Sequence, residues 1–218
     1  MPQRYKPRFV GDKIHKGAGI LAEADADAMY DRLVAQWPDG LVKGAPAFDG
    51  RDPTLAADLP ETVARLRYRD MMTYLPDDIL AKVDRASMAV SLEARVPLLD
   101  HRVVEFAWTL PPDRLLQNGQ GKRLLRNVLY RHVPREMVER PKTGFGLPIG
   151  DWLRGSLRDW AEDLLSERRL IEDGLIDPAP VRRCWEEHRK GNRNWQYALW
   201  SVLMFQAWRQ RWPGVSLG

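Results

Sequence analysis

Prolines divide the middle of this chain into short segments, and the best of these segments has the spacing of an amphipathic helix. Between Pro76 and Pro97, apolar residues recur at i, i+4, i+7 and i+11, namely Ile79, Val83, Ala86 and Val90. That spacing places them on one face of a helix. The opposite face carries Asp78, Lys82, Arg85 and Ala89 at the same intervals. The segment therefore predicts a helix with one apolar face and one charged face.

The same reading applied to the whole chain predicts further helices and no convincing strand. They cover residues 25–37, 58–75, 101–108, 121–132, 150–165, 178–190 and 193–211. The first begins at Asp25 or Asp27, and the second at Asp58 with Pro60 in its first turn. We predict an all-α fold, an irregular bundle of about seven to nine helices. Residues 1–57 form a looser lead-in, and residues 58–212 form the main helical body.

Composition narrows the class of protein. The chain has 218 residues, of which 44% are hydrophobic and 29% are charged, which is typical of a globular protein. No apolar run is long enough to cross a bilayer, and no apolar region follows the basic N-terminal residues, so we expect a cytoplasmic protein. Cys184 is the single cysteine and the four histidines are scattered. A metal site built from histidine or cysteine is not expected.

The net charge of +4 does not by itself identify a partner. Basic residues alternate with acidic ones, as in Glu186-Glu187-His188-Arg189-Lys190, and mixed runs of this kind are typical of solvated helix faces. The sequence contains no recognised nucleic-acid motif and no basic stripe. We therefore expect neither nucleic acid nor a membrane as a partner.

Two stretches combine charge with unusual backbone. The first is YLPDDILAKVDRASMAVSLEARVPLLD, residues 74–100, and the second is RPKTGFGLP, residues 140–148. In the second stretch, Gly144 and Gly146 permit close approach of the backbone to a ligand, while Lys142 adds a positive charge. Such a loop can hold phosphate oxygens through main-chain N–H groups. A structural Gly/Pro turn is the alternative.

Together with GKRLLR at residues 121–126, the two stretches resemble the asparagine synthetase family of glutamine-dependent amidotransferases. The order, spacing and identity of the residues agree from about Tyr68 to Trp212. The resemblance implies that the chain is the C-terminal helical portion of an α/β ATP-pyrophosphatase-type synthetase domain.

The resemblance also implies an activity. Members of the family use ATP and Mg²⁺ to adenylate a carboxylate, that of aspartate for asparagine formation, and transfer ammonia released from glutamine to it. AMP and pyrophosphate leave. Two alternatives stay open: an amidotransferase acting on a different carboxylate, or a non-catalytic helical subunit or scaffold. A homo-oligomer is also possible.

The chain departs from the family pattern in three places. Position 2 is proline, where the family's glutaminase domain has its cysteine nucleophile. The Ser-Gly-Gly-x-Asp-Ser pyrophosphate loop and the Ser-Gly-x-Gly-x-Asp-Glu segment do not occur in the sequence. We therefore expect a C-terminal fragment that is inactive in isolation, and whose partners are the missing N-terminal glutaminase and nucleotide-binding segments.

The resemblance assigns roles to particular residues. Lys142 matches the family's lysine that contacts the departing pyrophosphate. Asp78 aligns with an acidic residue near the acceptor carboxylate and ammonia, although Asp77 is the alternative. Lys82, one helical turn later, would hold a substrate carboxylate. The alternative for Asp78 and Lys82 is an i,i+4 surface ion pair.

The remaining assignments are supporting ones. Glu93 and Arg95 would bind substrate, or form a buried structural pair in the wall of the site. Gly144 and Gly146 would form the phosphate loop, and no residue is assigned to a metal. Asp100 is expected to cap the next helix, and Lys122 would reach toward phosphate. His132 and His188 are expected to be ordinary helix-face residues.

Overall fold

The computed structural model describes residues 17–37, 41–44, 58–117, 119–139 and 146–213. The chain divides into two compact units. We call residues 1–52 with 146–218 the terminal unit, and residues 53–145 the central unit.

The central unit consists of short helices and one small hairpin. Its elements are α2 (Thr62–Met72), a π-helical turn (Leu75–Leu80), α3 (Ala81–Met88), a 3₁₀ turn (Pro97–Leu99), α4 (His101–Trp108), α5 (Pro112–Leu115), β1 (Leu116–Gln117), β2 (Gln120–Gly121), α6 (Arg123–Leu129) and α7 (Arg135–Val138). The predicted helix at 101–108 is confirmed, and the one predicted at 121–132 is shorter than expected.

Helix α2 begins later than the sequence predicts. Its N-cap is Glu61, whose carboxylate accepts a hydrogen bond from Ala64 N, and not Asp58. The guanidinium of Arg65 donates to the carbonyl oxygens of Leu59 and Pro60 at 3.1 and 2.8 Å. These bonds occupy backbone acceptors just before the cap, so the helix starts after Pro60 and not at it.

The hairpin of the central unit was not expected. Leu116 pairs with Gly121 and Gln117 with Gln120 in antiparallel register. In sequence, Asn118-Gly119 stands between the two strands, and Gly119 has φ +73°. An Asn-Gly pair between two short strands is the strongest local signal for a hairpin, because both turn residues need positive φ. The sequence therefore contained the signal, although strands of two residues show no alternation.

The terminal unit holds the apolar core. Its elements are α1 (Ala26–Val34), α8 (Ile149–Arg154), α9 (Arg158–Leu164), α10 (Glu167–Asp173), α11 (Pro178–Arg189) and α12 (Gln196–Arg211). The buried residues that form the core are Ile149, Leu153, Ala161, Leu164, Leu165, Leu170, Ile176, Val181, Cys184, Trp185, Leu199, Val202 and Leu203. Helices α8 to α12 all contribute to this cluster.

Local signals in the terminal unit explain where its helices begin and end. Of the two predicted caps, Asp25 and Asp27, it is Asp25 that caps α1, accepting from Ala28 N at 2.7 Å. Asp177 caps α11 in the same way, accepting from Ala179 N at 3.0 Å. The single helix predicted over 150–165 is instead two helices, because Gly155 interrupts it with φ −119° and ψ −107°. The helices on either side of that bend both reach the core.

A bridge ties the segment at residues 41–44 to the start of α11. Val42 pairs with Ile176, Lys43 N donates to Leu175 O at 2.7 Å, and Asp177 N donates to Leu41 O at 3.1 Å. The described elements are almost all helices, with one hairpin of two-residue strands, so the prediction of an all-α fold is confirmed. Among the helices that the structure describes, none is both long and apolar enough to span a bilayer.

Candidate functional site

The candidate site begins at a widened turn of helix in the central unit. Pro76 has no N–H, so it cannot continue the hydrogen-bond ladder of α2. Thr73 ends that ladder with φ −126°, and its hydroxyl donates to Arg69 O at 2.8 Å. The π-helical turn follows, and Ala81 N closes it by reaching back to Pro76 O. Wide turns of this kind are uncommon and occur frequently at functional sites.

Asp78 and Lys82 form an ion pair across the junction between this turn and α3. Asp78 is partly exposed and Lys82 is exposed. The hydrogen bond to the Asp78 carboxylate raises the pKa of Lys82 above its usual value, outweighing the small effect of desolvation. Lys82 is therefore fully charged at neutral pH.

The structure distinguishes Asp78 from its neighbour. Asp77 is exposed, and its N–H continues the backbone ladder by donating to Thr73 O at 3.0 Å. Lys82 pairs with Asp78 and not with Asp77. The sequence did not decide between Asp77 and Asp78 as the functional acid. In the structure, Asp78 is the one that pairs with a cation, Lys82.

Glu93 and Arg95 also pair, but the expectation that the pair is buried is wrong. Arg95 Nη2 lies 2.8 Å from Glu93 Oε1, and the side chains of Arg95 and Glu93 are 82% and 67% exposed. Both belong to the segment between α3 and the 3₁₀ turn, which has neither helical nor strand hydrogen bonding at residues 92–96. An extended segment without a neighbouring strand does not enclose its side chains, which is why the pair stays in solvent.

The backbone between α3 and this segment is strained. Ser91 has φ +59°. Ser91 N donates to Met88 O at 3.0 Å and Leu92 N donates to Ser87 O at 2.9 Å. These two bonds form a Schellman motif, whose left-handed position is usually glycine. A non-glycine residue there costs about 1 kcal/mol, and strain of this type concentrates at functional segments.

Asp100 caps α4, as predicted. Its carboxylate accepts from Arg102 N at 3.0 Å and from the Arg102 guanidinium at 2.9 and 2.8 Å. The side-chain bond to Arg102 lowers the pKa of Asp100 below its usual value. The carboxylate of Asp100 thus makes its hydrogen bonds within the helix that it caps.

The second predicted stretch lies mostly outside the described residues. Lys142 and Gly144 belong to it and have no described position, so their roles stay predictions. Gly146 is described and exposed, and a Cβ added to it would meet no atom within 4 Å. Lys122 is exposed and has φ +59° at the residue preceding α6. Its predicted role toward phosphate is not tested by that position.

His188 is the residue that sequence reasoning placed wrongly, because it is fully buried in the terminal unit. Its Nδ1 accepts from Trp195 N at 3.1 Å, and its Nε2 lies 3.2 Å from Gly150 O. These partners require a neutral ring with the proton on Nε2. Burial, followed by the charge of Arg154, lowers the pKa of His188. The signal was its i+7 and i+4 spacing from the apolar Val181 and Cys184.

A second polar network lies against the same core. Trp185 Nε1 donates to Glu162 Oε2 at 2.5 Å, and Arg182 Nη2 donates to Glu162 Oε1 at 2.7 Å. Desolvation raises the pKa of Glu162, but the bonds from Trp185 and Arg182 outweigh it and lower the pKa overall. This network joins α9 to α11 and is structural.

The described residues do not form a metal site of their own. No group of three or more His, Cys, Asp or Glu side chains within the described ranges could hold a metal ion. The chemistry that the described site offers is therefore a carboxylate beside an ammonium group on an accessible surface. Exposed pairs of this kind contribute little to stability, about 0–1 kcal/mol, so either partner can exchange for a charged ligand at small cost.

Comparisons with known proteins agree with the sequence motifs. The family model for asparagine synthase matches residues 1–210 of the chain. A Mycobacterium tuberculosis protein named as a glutamine-hydrolyzing asparagine synthetase is 40% identical over 149 residues, which cover 68% of this chain and 22% of that protein. Asparagine synthetase 1 of Bacillus subtilis is 34% identical over 146 residues, covering 67% of this chain and 23% of that protein.

A less similar relative also matches the chain. The asparagine synthetase of Bos taurus is 32% identical over 139 residues, which cover 56% of this chain and 24% of that protein. The chain thus spans about a fifth of the length of the curated relatives it matches, 22% for the mycobacterial protein. No solved structure matches it significantly.

Proposed function

The chain belongs to the asparagine synthase family, and from this premise we propose that it forms the helical part of the synthetase domain of an ATP-dependent amidotransferase. The proposed enzyme adenylates a carboxylate, that of aspartate in the first instance, and transfers ammonia derived from glutamine to form asparagine. Because the chain spans about a fifth of its relatives, 22% of the mycobacterial one, the whole reaction is assigned to a protein that includes the remaining segments.

The observation that best supports the proposal is the pair between Asp78 on the wide turn and Lys82 on α3, within the family-matched region. A carboxylate becomes a good electrophile only after AMP is attached, so the site must hold the acceptor carboxylate in place. Lys82 supplies the positive charge for that contact. Asp78 would release Lys82 to the substrate and accept a hydrogen bond from the incoming ammonia.

ATP and Mg²⁺ are assigned to segments other than the described ones. The described residues do not fit a Mg²⁺ site, since they lack a cluster of three acidic or other ligating side chains. Lys142, with Gly144 and Gly146, is proposed to neutralise the departing pyrophosphate, where charge stabilisation in a dry site contributes roughly a few kcal/mol.

The experiment measures pyrophosphate release with ATP, Mg²⁺, aspartate and ammonium, by the chain alone and with the upstream segments of the family added in trans. We expect release only with the added segments. Asp78→Asn is expected to lower the rate roughly a hundredfold or more, because an oriented reacting geometry is lost. Glu172→Gln is the matched control, since it breaks an exposed i,i+4 pair with Arg168 at 3.8 Å on α10.

Each result has a definite consequence. An equal loss of rate in the Asp78→Asn and Glu172→Gln variants would mean that Asp78 has no specific role in the reaction. Pyrophosphate release with glutamate or another carboxylate, but not with aspartate, would mean that aspartate is not the acceptor. Lys142→Ala is expected to abolish amide formation in the complete enzyme while glutamine hydrolysis continues. Loss of both activities would make Lys142 structural.

A second candidate is a non-catalytic helical subunit or scaffold, and one observation favours it. In the described part of the central unit, no apolar side chain is buried. Large apolar residues such as Met88, Val90 and Phe106 are instead 53%, 75% and 60% exposed. Apolar surface on this scale is typical of an interaction site. Tight association with the added upstream segments, without pyrophosphate release, would support this candidate.

A further inference from the structure

Helix α8 begins where the predicted phosphate loop ends. The last three residues of that loop, 146–148, are described and exposed. The next residue, Ile149, is only 7% exposed and belongs to the core cluster, and Gly150 after it is also buried. The chain therefore passes from solvent into the core within one residue. Whatever fixes Gly150 also fixes one end of the loop.

The N–H group of Gly150 is held by a side chain from the distant helix α12. Pro148, the N-cap of α8, has no polar side chain that could cap the helix. The N–H groups in the first turn of a helix have no partner within the helix. Gly150 N instead donates to Oε1 of Gln196, 46 residues further along the chain, at 2.9 Å. Gln196 thus caps α8 from outside its own segment.

The carbonyl group of Gly150 is held as well. Its oxygen lies 3.2 Å from Nε2 of the buried His188. At the other end of α8, Arg154 Nη1 donates to His188 O at 3.4 Å. Gln196 is oriented in turn, because its own N–H donates to Asn194 Oδ1 at 3.2 Å. Both backbone groups of Gly150 therefore bond to side chains of the terminal unit, and we call this arrangement the Gly150 clamp.

The clamp requires a glycine because of the close approach of Gln196. A Cβ atom at position 150 would lie 2.7 Å from Gln196 Oε1 and 3.3 Å from Asn194 Oδ1. The first distance is shorter than van der Waals contact allows, so the Gln196 side chain would have to move. Glycine is a poor helix former, and the close approach explains its presence in the first turn of α8.

The chain between the clamp and the loop has little freedom to bend. The pyrrolidine ring of Pro148 fixes its φ, which is −78°. Pro148 O also accepts two hydrogen bonds from N–H groups of α8 at 3.0 Å each. Leu147 precedes a proline and is thereby restricted to extended conformations. Gly146 is four residues from Gly150, at most about 14 Å of chain. A shift at Gly150 is therefore carried to Gly146.

We propose that Gln196 and His188 are positioning residues for the predicted phosphate loop. By holding both backbone groups of Gly150, they fix the orientation in which Gly146 meets the phosphate oxygens. The inference rests on the proposed function, in which the loop contacts the departing pyrophosphate. Gln196 acts through Gly150 and does not itself bind the substrate.

The kinetic test measures pyrophosphate release by the chain with the upstream segments added in trans. Gln196→Ala should lower kcat about tenfold to a hundredfold, because a displacement of about 1 Å in a reacting site costs up to that factor. The KM for aspartate should stay unchanged, since the acceptor contact is assigned to Lys82. Gln196→Glu keeps an oxygen acceptor at the same distance from the backbone and should retain most of the rate.

The matched control is Asp177→Ala. It removes an N-cap from α11 in the same unit, where Asp177 accepts from Ala179 N at 3.0 Å, and so destabilises the fold without touching the clamp. Its kcat should equal that of the wild type. Circular dichroism checks that each variant is folded under the assay conditions. If Gln196→Ala does not fold, Gly150→Ala provides the same test.

Gly150→Ala tests the clamp from the other side. The added Cβ displaces Gln196, so we expect a fall in kcat similar to that of Gln196→Ala. Because both substitutions break the same contact, the double variant should be no more than about threefold slower than either single variant. Independent positions would instead show the product of the two losses, which would contradict the clamp.

A second measurement does not depend on the reaction. Nuclear magnetic resonance relaxation gives the order parameters of the Gly146 and Leu147 amides in the chain alone. We expect lower values in Gln196→Ala and Gly150→Ala than in the wild type. Gln196→Glu and Asp177→Ala should match the wild type.

The two measurements separate failure of the clamp from failure of the proposed function. Absence of release by the wild-type chain with the added segments would contradict the proposed function, and the order parameters would still decide on the clamp. Unchanged order parameters in folded Gln196→Ala would overturn the clamp. Equal losses of kcat in Gln196→Ala and Asp177→Ala, or in Gln196→Ala and Gln196→Glu, would also overturn it.

Discussion

Replacing His188 tests how the core of the terminal unit is held together. The imidazole is fully buried and bonds to the backbone on two sides, accepting from Trp195 N and donating to Gly150 O. His188→Phe keeps a ring of similar shape but removes both bonds. Each buried backbone group left without a partner costs about 1–3 kcal/mol. We therefore expect the free energy of unfolding to fall by roughly 2–6 kcal/mol.

The pH dependence of stability tests His188 in a second way. Burial and the neighbouring Arg154 lower the pKa of His188 in the folded chain, and Asp151 opposes this shift. Between that lowered pKa and about 6.5, the unfolded chain binds more protons than the folded chain. The stability due to neutral His188 is therefore complete above about pH 6.5 and declines as the pH falls below it. His188→Phe should remove this part of the decline.

Urea unfolding, followed by the intrinsic fluorescence of the chain's nine tryptophans, measures both effects. The series runs at neutral pH and at pH values below about 6.5, with wild type, His188→Phe and His132→Phe. His132 is exposed on the surface of the central unit, so its replacement should change stability by less than about 0.5 kcal/mol. A loss below about 1 kcal/mol in His188→Phe, or an unchanged pH slope, would refute this account of the buried hydrogen bonds.

Three further substitutions test other parts of the fold, each by urea unfolding. Ser91→Gly should stabilise the chain by about 1 kcal/mol, because glycine adopts the positive φ of the Schellman position without strain; a destabilised variant would argue against strain there. Asp177→Ala should cost about 1 kcal/mol by removing the N-cap of α11, whereas Asp177→Asn should retain it, and equal losses in both would contradict the capping role. Leu164→Ala should cost about 2–5 kcal/mol because Leu164 is fully buried, while Leu147→Ala at a half-exposed position should cost far less.

Several features of the candidate site followed from sequence. The resemblance to the family pointed to Asp78, with Asp77 as the alternative, and the i,i+4 spacing of Asp78 and Lys82 predicted that the two lie on one side of a helix. Asp100 as a helix cap followed from an acid directly before an apolar helix. Such signals act over one or two turns, so they do not depend on the rest of the fold. The wide turn that contains Asp78 was not predicted, although the sequence shows Pro76 at its start.

Burial was the property that was hardest to predict from the sequence. Glu93 and Arg95 have the opposite charges of a pair, and they do pair, but nothing in their spacing shows whether a neighbour covers them. His188 lies in a charged run, Glu186-Glu187-His188-Arg189-Lys190, which is typical of an exposed face. Its side chain nevertheless faces the core, because α8 and the start of α12 close over it with two backbone groups.

The sequence by itself determined the helical class of this chain, most helix positions, its family, and the closeness of Asp78 and Lys82 at the candidate site. Those properties depend on local periodicity, capping chemistry and motif order, all of which are written along the chain. Only the tertiary structure decided which histidine is buried and which face of α12 stays exposed. Each of these depends on contacts between segments far apart in sequence, whose desolvation and hydrogen bonding exist only once the segments have packed.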